Sequence, residues 1–181
     1  MELTDTSRQF ILHWGEMGTR WGVNRTVAQV HALLYLSAES LTAEEIADTL
    51  SVARSNVSTS LKELQNWDLV KIESRMGDRR DYFLTSADVW TLFLTIVDQR
   101  VAREILPTLA MLRRCAVEAQ AEQPAQPAIA SRITAMQAFL EDLLEWYSQI
   151  KKLPPASLRS LLSIGSRVTR ILPKTHRRRL D

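Results

Sequence analysis

The chain has 181 residues, of which 45% are hydrophobic and five are glycine, so it can bury a full core as one domain or as one domain with helical extensions. No apolar run reaches the length of a membrane span, and the polar, acidic start Met1 to Asp5 is unlike a signal peptide, so we expect a cytoplasmic protein without a membrane partner. The net charge of +2 conceals an asymmetry: residues 1–150 hold 14 Lys and Arg against 20 Asp and Glu, whereas residues 151–181 hold nine against one.

Residues 1–40 carry apolar side chains at helical spacing and predict two helices. The first covers roughly residues 4 to 18, and the second begins after Asn24. We expect these N-terminal helices to contribute to dimerisation and to support the module that follows them.

Residues 41–85 predict a winged helix-turn-helix, the most informative segment of the chain. Thr42 and Glu45 form a capping box that begins a first short helix, and Val57 centres the buried face of a second. At about 100° per residue, the opposite face of the second helix is short and polar, which suits insertion into the major groove of DNA. The predicted DNA contacts on this helix are Arg54, Ser55, Asn56, Ser58, Thr59 and Lys62.

A β-hairpin, here called the wing, is predicted after the second helix. Val70 and Ile72 alternate along its first strand, and Gly77 with Asp78 supplies the turn before the second strand. A surface turn can carry arginines for solubility alone, but beside a helix-turn-helix such residues favour contact with phosphates or a narrow minor groove. The predicted DNA contacts of the wing are Arg75, Arg79 and Arg80.

Residues 86–122 predict a long connecting helix. Thr85 with Asp88 is a candidate capping box at its start. Pro107 lies inside the helical pattern and, because it lacks an amide donor, should bend the helix between Arg103 and Pro107.

Residues 128–181 predict C-terminal helices and a basic tail. Between residues 129 and 150, apolar side chains recur in steps of four and three, which is the pattern of a helix that needs a partner helix. The partner can be a second copy of the chain or a helix of the same subunit, and the sequence leaves both open. The last helix, Ala156 to Leu172, is followed by the basic residues 174–179, which can contact phosphate or remain solvated.

Catalytic signatures are absent from the sequence. The three histidines are scattered, no acidic or cysteine cluster has the spacing of metal ligands, and no glycine-rich phosphate loop or nucleophile elbow occurs. We therefore expect neither an enzyme nor a bound metal or cofactor.

Three stretches together resemble a known family. Asp78-Arg79-Arg80 followed by Leu84-Thr85 resembles the wing signature of the MarR family of bacterial transcriptional regulators. The segments 21–28, 63–70 and 77–82 are similar to the GbsR subfamily, whose founding members regulate genes of choline and glycine betaine uptake or synthesis. Two residues depart from the family pattern, because Ser51 stands where glycine is usual and Ala53 where serine or threonine is usual.

These observations predict a mainly α protein with a small β-wing, in which helices that form a dimer flank a winged helix-turn-helix. The expected function is a sequence-specific regulator of transcription, a repressor, that binds double-stranded DNA as a homodimer. The resemblance further implies a small-molecule effector, a quaternary ammonium compound by analogy, which aromatic side chains can bind. Trp14 and Trp90 are the candidate effector residues. The alternative is a winged helix that binds another protein instead of DNA.

Overall fold

The computed structural model describes residues 2–121, 126–154, 156–161 and 163–164. The chain divides into two compact units, Met1–Ala102 and Arg103–Asp181. The elements of the described residues are, in chain order, α1 (Asp5–Arg20), α2 (Arg25–Leu36), β1 (Leu41–Thr42), α3 (Ala43–Leu50), α4 (Arg54–Asn66), β2 (Lys71–Ser74), β3 (Asp81–Leu84), α5 (Val89–Arg100), α6 (Leu106–Ala121) and α7 (Pro127–Ile150). The predicted class, mainly helical with a small sheet, is confirmed.

Helices α1 and α2 pack closely because two glycines of α1 face α2. A Cβ atom at Gly18 would lie 2.6 Å from the Cβ of Ala28, and one at Gly15 would lie 2.8 Å from the Cγ of Gln29. Both helices begin at the side chains that the sequence offers as caps. The amide of Thr26, for example, donates to the Asn24 side chain over 2.8 Å.

The helix-turn-helix consists of α3 and α4, and its predicted capping box is present. The Thr42 amide donates to Glu45 Oε2 over 2.7 Å, and the Glu45 amide donates to Thr42 Oγ1. The Thr42 amide and the Thr42 hydroxyl, which both donate to Glu45 Oε2, hold the pKa of Glu45 below its ordinary value. The turn residue Ser51 adopts a left-handed conformation with φ 54°, and Ala53 begins α4 without a side-chain cap, so both departures from the usual pattern are visible in the backbone.

A three-stranded antiparallel sheet adjoins these helices in the order β1-β3-β2. Leu41 and Ile72 pair with Phe83 from either side. Strand β1 has only two residues and ends in the cap of α3, so it is too short to produce an alternating pattern. For that reason the sequence predicted the two strands of the wing and missed the third strand.

The start of α5 corrects one prediction. Asp88 alone caps this helix by accepting from the Thr91 amide over 2.9 Å. The Thr85 hydroxyl instead donates to the Leu69 carbonyl over 2.6 Å, so the predicted capping box of Thr85 and Asp88 is wrong. The spacing matched a capping box, but Thr85 still continues the path of β3 and bonds to the chain that leads into β2.

The α-helical hydrogen-bond pattern is interrupted just before Pro107, close to the stretch where the sequence predicts a bend. The backbone forms a π-helical turn over Val101–Ile105, immediately before α6. Proline lacks an amide hydrogen, so the carbonyl four residues earlier loses its usual donor and the hydrogen-bond register shifts. The Thr108 hydroxyl donates to the nearby Glu104 carbonyl over 2.6 Å.

In the second unit α6 packs against α7. Leu109, Leu112, Ala116 and Ala119 are the buried residues of α6. Arg113 joins the two helices through Nε and Nη2, which lie 2.9 and 2.8 Å from Glu141 Oε1, and this contact holds the pKa of Glu141 below its ordinary value. Residues 156–161 and 163–164 are helical, whereas the rest of the predicted last helix and the basic residues 174–179 lie outside the described residues.

Candidate nucleic-acid interface

Helix α4 separates its apolar and polar residues onto opposite faces, as the sequence predicts. Val57, Leu61 and Leu64 are at most 3% exposed and belong to the hydrophobic core with Ile46 of α3. This packing fixes α4 on the body of the first unit and turns the other face to solvent. That face carries the predicted contacts Arg54, Ser55, Asn56, Thr59 and Lys62, which are exposed, and Ser58, which is half-buried.

Strands β2 and β3 position the wing beside α4. The wing turns at Gly77, whose φ of 82° is open to glycine but strained for other residues. Arg79 is exposed next to this turn. Arg54, Lys62 and Arg79 form no hydrogen bond or ion pair with the part of the chain that the structure describes, so their charges are available to a ligand.

A groove of about 500 Å³ lies between α4, the start of α3 and the wing. Four cations line it, two from the helix and two from the wing. Glu44 and Asp81 also line it, so its walls are mixed in charge but mainly positive. The predicted contacts that the fold brings together in this groove are Arg54, Ser58, Lys62, Arg79 and Arg80. Such a positive concave surface attracts a polyanion.

Arg80 is held by a carboxylate within the wing. Its Nε lies 3.1 and 3.0 Å from the two oxygens of Asp78, and its Nη2 lies 2.6 Å from Asp78 Oδ2. These hydrogen bonds hold the pKa of Asp78 well below its usual range. Arg80 therefore reaches the groove in a fixed orientation, whereas Arg79 extends without a partner in the described chain.

Arg75 has a different environment from the other predicted wing contacts. Its Nη2 donates to Ser40 Oγ over 3.1 Å, and its guanidinium carbon lies 3.9 Å from the centre of the Tyr82 ring. Arg75 is exposed but is not among the residues that line the groove. Its contact with DNA stays a prediction.

The sequence-based interpretation overlooked Asp78, Tyr82 and Ser40 as partners of the wing arginines. A signal was present for two of them. Residues 78, 80 and 82 alternate in the sequence at the entry to β3, and side chains two apart in an extended chain lie on the same side. Ser40 is distant in sequence, and only the pairing of β1 with β3 brings it near.

His31 is buried behind the sheet and is only 5% exposed. Its Nε2 lies 3.4 Å from Thr85 Oγ1, which gives its own hydrogen to the Leu69 carbonyl, so the neutral His31 ring is the donor in this contact. Burial lowers the pKa of His31 to about 4, so the side chain is neutral at pH 7.

The two candidate effector residues belong to different aromatic pairs. Trp14 stacks on Phe10 of the same helix with ring centres 5.4 Å apart, and Phe10 in turn stacks on Tyr35 of α2. Trp90 meets Phe93 edge to face at 6.3 Å. Both tryptophans are half-buried, and their role in binding an effector stays a prediction.

Among the residues that the structure describes, no group of three or more His, Cys, Asp or Glu side chains is arranged to hold a metal ion. None of the helices in this part of the chain is both long and apolar enough to cross a membrane.

Comparison with known families identifies the class of this module. Residues 21–81 match the model of the MarR family, and this range includes α2, the helix-turn-helix and most of the wing. This segment is thus similar to the MarR family, and the predicted resemblance is confirmed for residues 21–81.

The sequence identity to individual known proteins is low. The chain is 26% identical over 102 residues to the "HTH-type transcriptional repressor GbsR" of Bacillus subtilis (strain 168), an alignment that covers 56% of this chain and 54% of that protein. The chain therefore spans about half the length of the curated relative it matches.

Among solved structures, a protein described as "a transcriptional regulator" shares the fold with a TM-score of 0.66. It is 20% identical, and the alignment covers 81% of this chain and 96% of that one. The Staphylococcus aureus regulator MepR aligns at a TM-score of only 0.38, with 17% identity over 75% of this chain and 93% of that one, which is too low to support an argument.

Proposed function

We propose that the protein is a transcriptional regulator that binds double-stranded DNA in a sequence-specific manner. The observation that carries the proposal is the positive groove between α4 and the wing, where two cations of the helix and two of the wing converge. A duplex presents a regular array of phosphates along its grooves, so cations on the recognition helix and on the adjacent wing fit it.

The contacts divide into two classes by chemistry. Short polar side chains on α4, here Ser55, Asn56 and Thr59, allow the helix to lie deep in the major groove, where they can bond to base edges. Arg54, Lys62 and Arg79 carry charges that are unpaired within the described residues and that suit phosphates. The first class gives sequence discrimination and the second gives affinity that depends on salt.

Repression is the direction of regulation that we infer. The B. subtilis relative is named a repressor, and a protein that covers both grooves of a promoter would block access to it. The likeness in sequence covers 56% of this chain, so this part of the proposal extends beyond the matched residues.

We also propose that the protein acts as a homodimer through α7. Met136, Phe139, Leu143 and Trp146 follow a spacing of three, four and three, and each is at least 40% exposed. This row, here called the α7 stripe, has the spacing of a helix-pairing seam, and a second copy of the chain supplies the matching helix by symmetry. Two copies would contact half-sites about one helical turn of DNA apart.

A small-molecule effector forms the last part of the proposal. The resemblance to the GbsR subfamily, whose founding members regulate choline and glycine betaine genes, makes a quaternary ammonium compound the candidate effector, and aromatic rings attract such cations. Trp14 and Trp90 are the candidate residues, and a titration of tryptophan fluorescence with choline and betaine is the direct measurement. A response in the parent, together with loss of calorimetrically measured binding in Trp14→Ala or Trp90→Ala, supports this assignment, and an unchanged spectrum of the parent contradicts it.

The alternative is a winged helix that binds only proteins. Cations on both sides of the groove, three of them without a partner among the described residues, argue against it, because a protein partner would have to leave them solvated or match them one by one.

Selection of genomic fragments by the purified protein tests the proposal. Fragments enriched over several rounds should share a roughly palindromic sequence, and the protein should bind the enriched duplex at least about 1000-fold more tightly than a scrambled one. Arg8→Ala on α1 removes one exposed arginine outside the groove. It is therefore the control for the loss of one positive charge when a groove arginine such as Arg79 is replaced. Failure to enrich any sequence, with equal weak binding of all duplexes, would contradict the proposal.

A further inference from the structure

Tyr82 is buried on the face of the sheet that points away from the hydrophobic core. Tyr82 and its neighbour Phe83 are 6% and 8% exposed, although successive side chains of a strand point to opposite faces. Phe83 belongs to the core cluster and Tyr82 does not. The Tyr82 ring is instead covered by two arginines, because the guanidinium carbons of Arg75 and Arg80 lie 3.9 and 5.6 Å from its centre.

The Tyr82 hydroxyl completes a closed set of hydrogen bonds in the wing. It donates to Asp78 Oδ2 over 2.8 Å and accepts from Arg80 Nη2 over 2.9 Å. Asp78 and Arg80 are themselves bonded through Nε and Nη2. The guanidinium of Arg80 is thus fixed along the edge that carries Nε and Nη2, whereas Nη1 has no partner among the described residues and can donate both of its hydrogens to a ligand.

Arg75 fixes the ring of Tyr82 from a different part of the chain. Its Nη2 donates to Ser40, the residue immediately before β1, while its planar group lies over the ring. The wing is therefore attached at Tyr82 to the body of the first unit as well as through its strand pairing.

We propose that Tyr82, clamped by Arg75, is a positioning residue that orients Arg80 for DNA. The inference rests on the proposed function and adds a residue that would not itself touch the nucleic acid. A free arginine loses rotamer freedom when it binds a phosphate or a base, and one already held by the Asp78 carboxylate and the Tyr82 hydroxyl loses less. Removal of the Tyr82 hydroxyl should therefore weaken binding only through Arg80.

Tyr82→Phe is the first variant, because it keeps the ring under Arg75 and removes only the hydroxyl. Its affinity for the enriched duplex should fall about tenfold, the size expected for loss of a hydrogen bond to a charged group. Tyr35→Phe makes the same chemical change on α2, at a residue that does not line the groove, and this variant should bind DNA as the parent does. Circular dichroism and urea unfolding establish that each variant is folded.

The decisive step is to repeat the Tyr82→Phe change in an Arg80→Ala background. If Tyr82 acts through Arg80, Tyr82→Phe causes no further loss there, whereas a general structural role predicts the same loss in both backgrounds. Arg75→Lys provides a second variant that keeps the positive charge, and with it any phosphate contact of residue 75 itself, but loses the planar clamp, so its loss of affinity should likewise vanish without Arg80.

Two outcomes overturn the inference and a third concerns the proposed function instead. Equal affinity of parent and Tyr82→Phe, or equal losses with and without Arg80, shows that Tyr82 does not orient Arg80. A parent protein that binds no duplex specifically contradicts the proposed function before the variants are compared.

Discussion

The division of labour among single side chains can be tested at Arg79 and Asn56. Arg79 has no partner in the described chain, so Arg79→Ala should weaken binding to every duplex and make the slope of log affinity against log salt shallower by about one unit. Asn56→Ala should instead reduce the preference for the enriched sequence by about 1 to 3 kcal/mol and leave the slope unchanged. Fluorescence anisotropy at several salt concentrations measures both. Equal losses on specific and scrambled DNA for both variants would refute this division.

A buried histidine gives the stability of the first unit a dependence on pH. Burial lowers the pKa of His31 to about 4 in the folded protein, whereas its pKa in the unfolded chain is about 6.5. Between these two pH values the unfolded chain binds more protons than the folded protein. Stability is therefore lost as the pH falls through this window. From pH 7 to 5 the loss due to His31 should be about 2 kcal/mol.

Urea unfolding of the parent, His31→Gln and His13→Gln at the two pH values isolates this effect. His31→Gln should lose less stability on acidification than the parent does. His13→Gln, an exposed residue of α1, should behave as the parent. An identical pH dependence in all three proteins would show that His31 is not held neutral.

At the scale of elements, the contact of α1 with α2 depends on a residue without a side chain. In an exposed helix Gly→Ala is stabilising, but at Gly18 the added Cβ would lie 2.6 Å from Ala28 Cβ, and the helices must separate. We expect Gly18→Ala to lower the free energy of unfolding by about 1 to 3 kcal/mol. Gly15→Ala faces the flexible side chain of Gln29 and should cost less. Chemical denaturation measures both, and a Gly18→Ala protein as stable as the parent would disprove the close approach.

The sequence predicted the helical elements better than the contacts among them. The capping box of Thr42 with Glu45 and the buried face around Val57 follow local spacing and are present as predicted. The capping box of Thr85 with Asp88 satisfied the same spacing and is wrong, because a partner 16 residues away, the Leu69 carbonyl, takes the hydroxyl. Local patterns do not contain such competing partners.

The candidate site shows the same limit. The spacing of residues on α4 and the wing sufficed to predict which arginines and polar residues would be exposed. It did not predict that Arg75 bonds to Ser40, because β1 is too short to leave a pattern and its pairing with β3 is not local. The three wing arginines therefore differ in their partners: Arg75 bonds to Ser40, Arg80 bonds to Asp78, and Arg79 has none in the described chain. The sequence did not predict this difference.

At the scale of the whole molecule, the α7 stripe predicts a dimer that one charge should dissociate. Phe139 is 60% exposed, and Phe139→Glu would bury a carboxylate in the seam, so the dissociation constant of the dimer should rise by about 100-fold or more. Thr134→Glu places the same charge at an exposed position of α7 away from the stripe and is the matched control. Sedimentation velocity over a range of concentrations measures the effect. A monomeric parent, or two variants that dimerise equally well, would contradict this role of α7.

The central claim is that DNA lies in the groove between α4 and the wing, and photochemical cross-linking tests it most directly. An enriched duplex substituted with bromodeoxyuridine is irradiated in complex with the full chain, and the attached peptides are identified by mass spectrometry. The account predicts cross-links within residues 54–62 of α4 and residues 75–80 of the wing, which disappear with a scrambled duplex at the same concentration. Cross-links confined to the basic residues 174–179, or to α6 and α7, would contradict it.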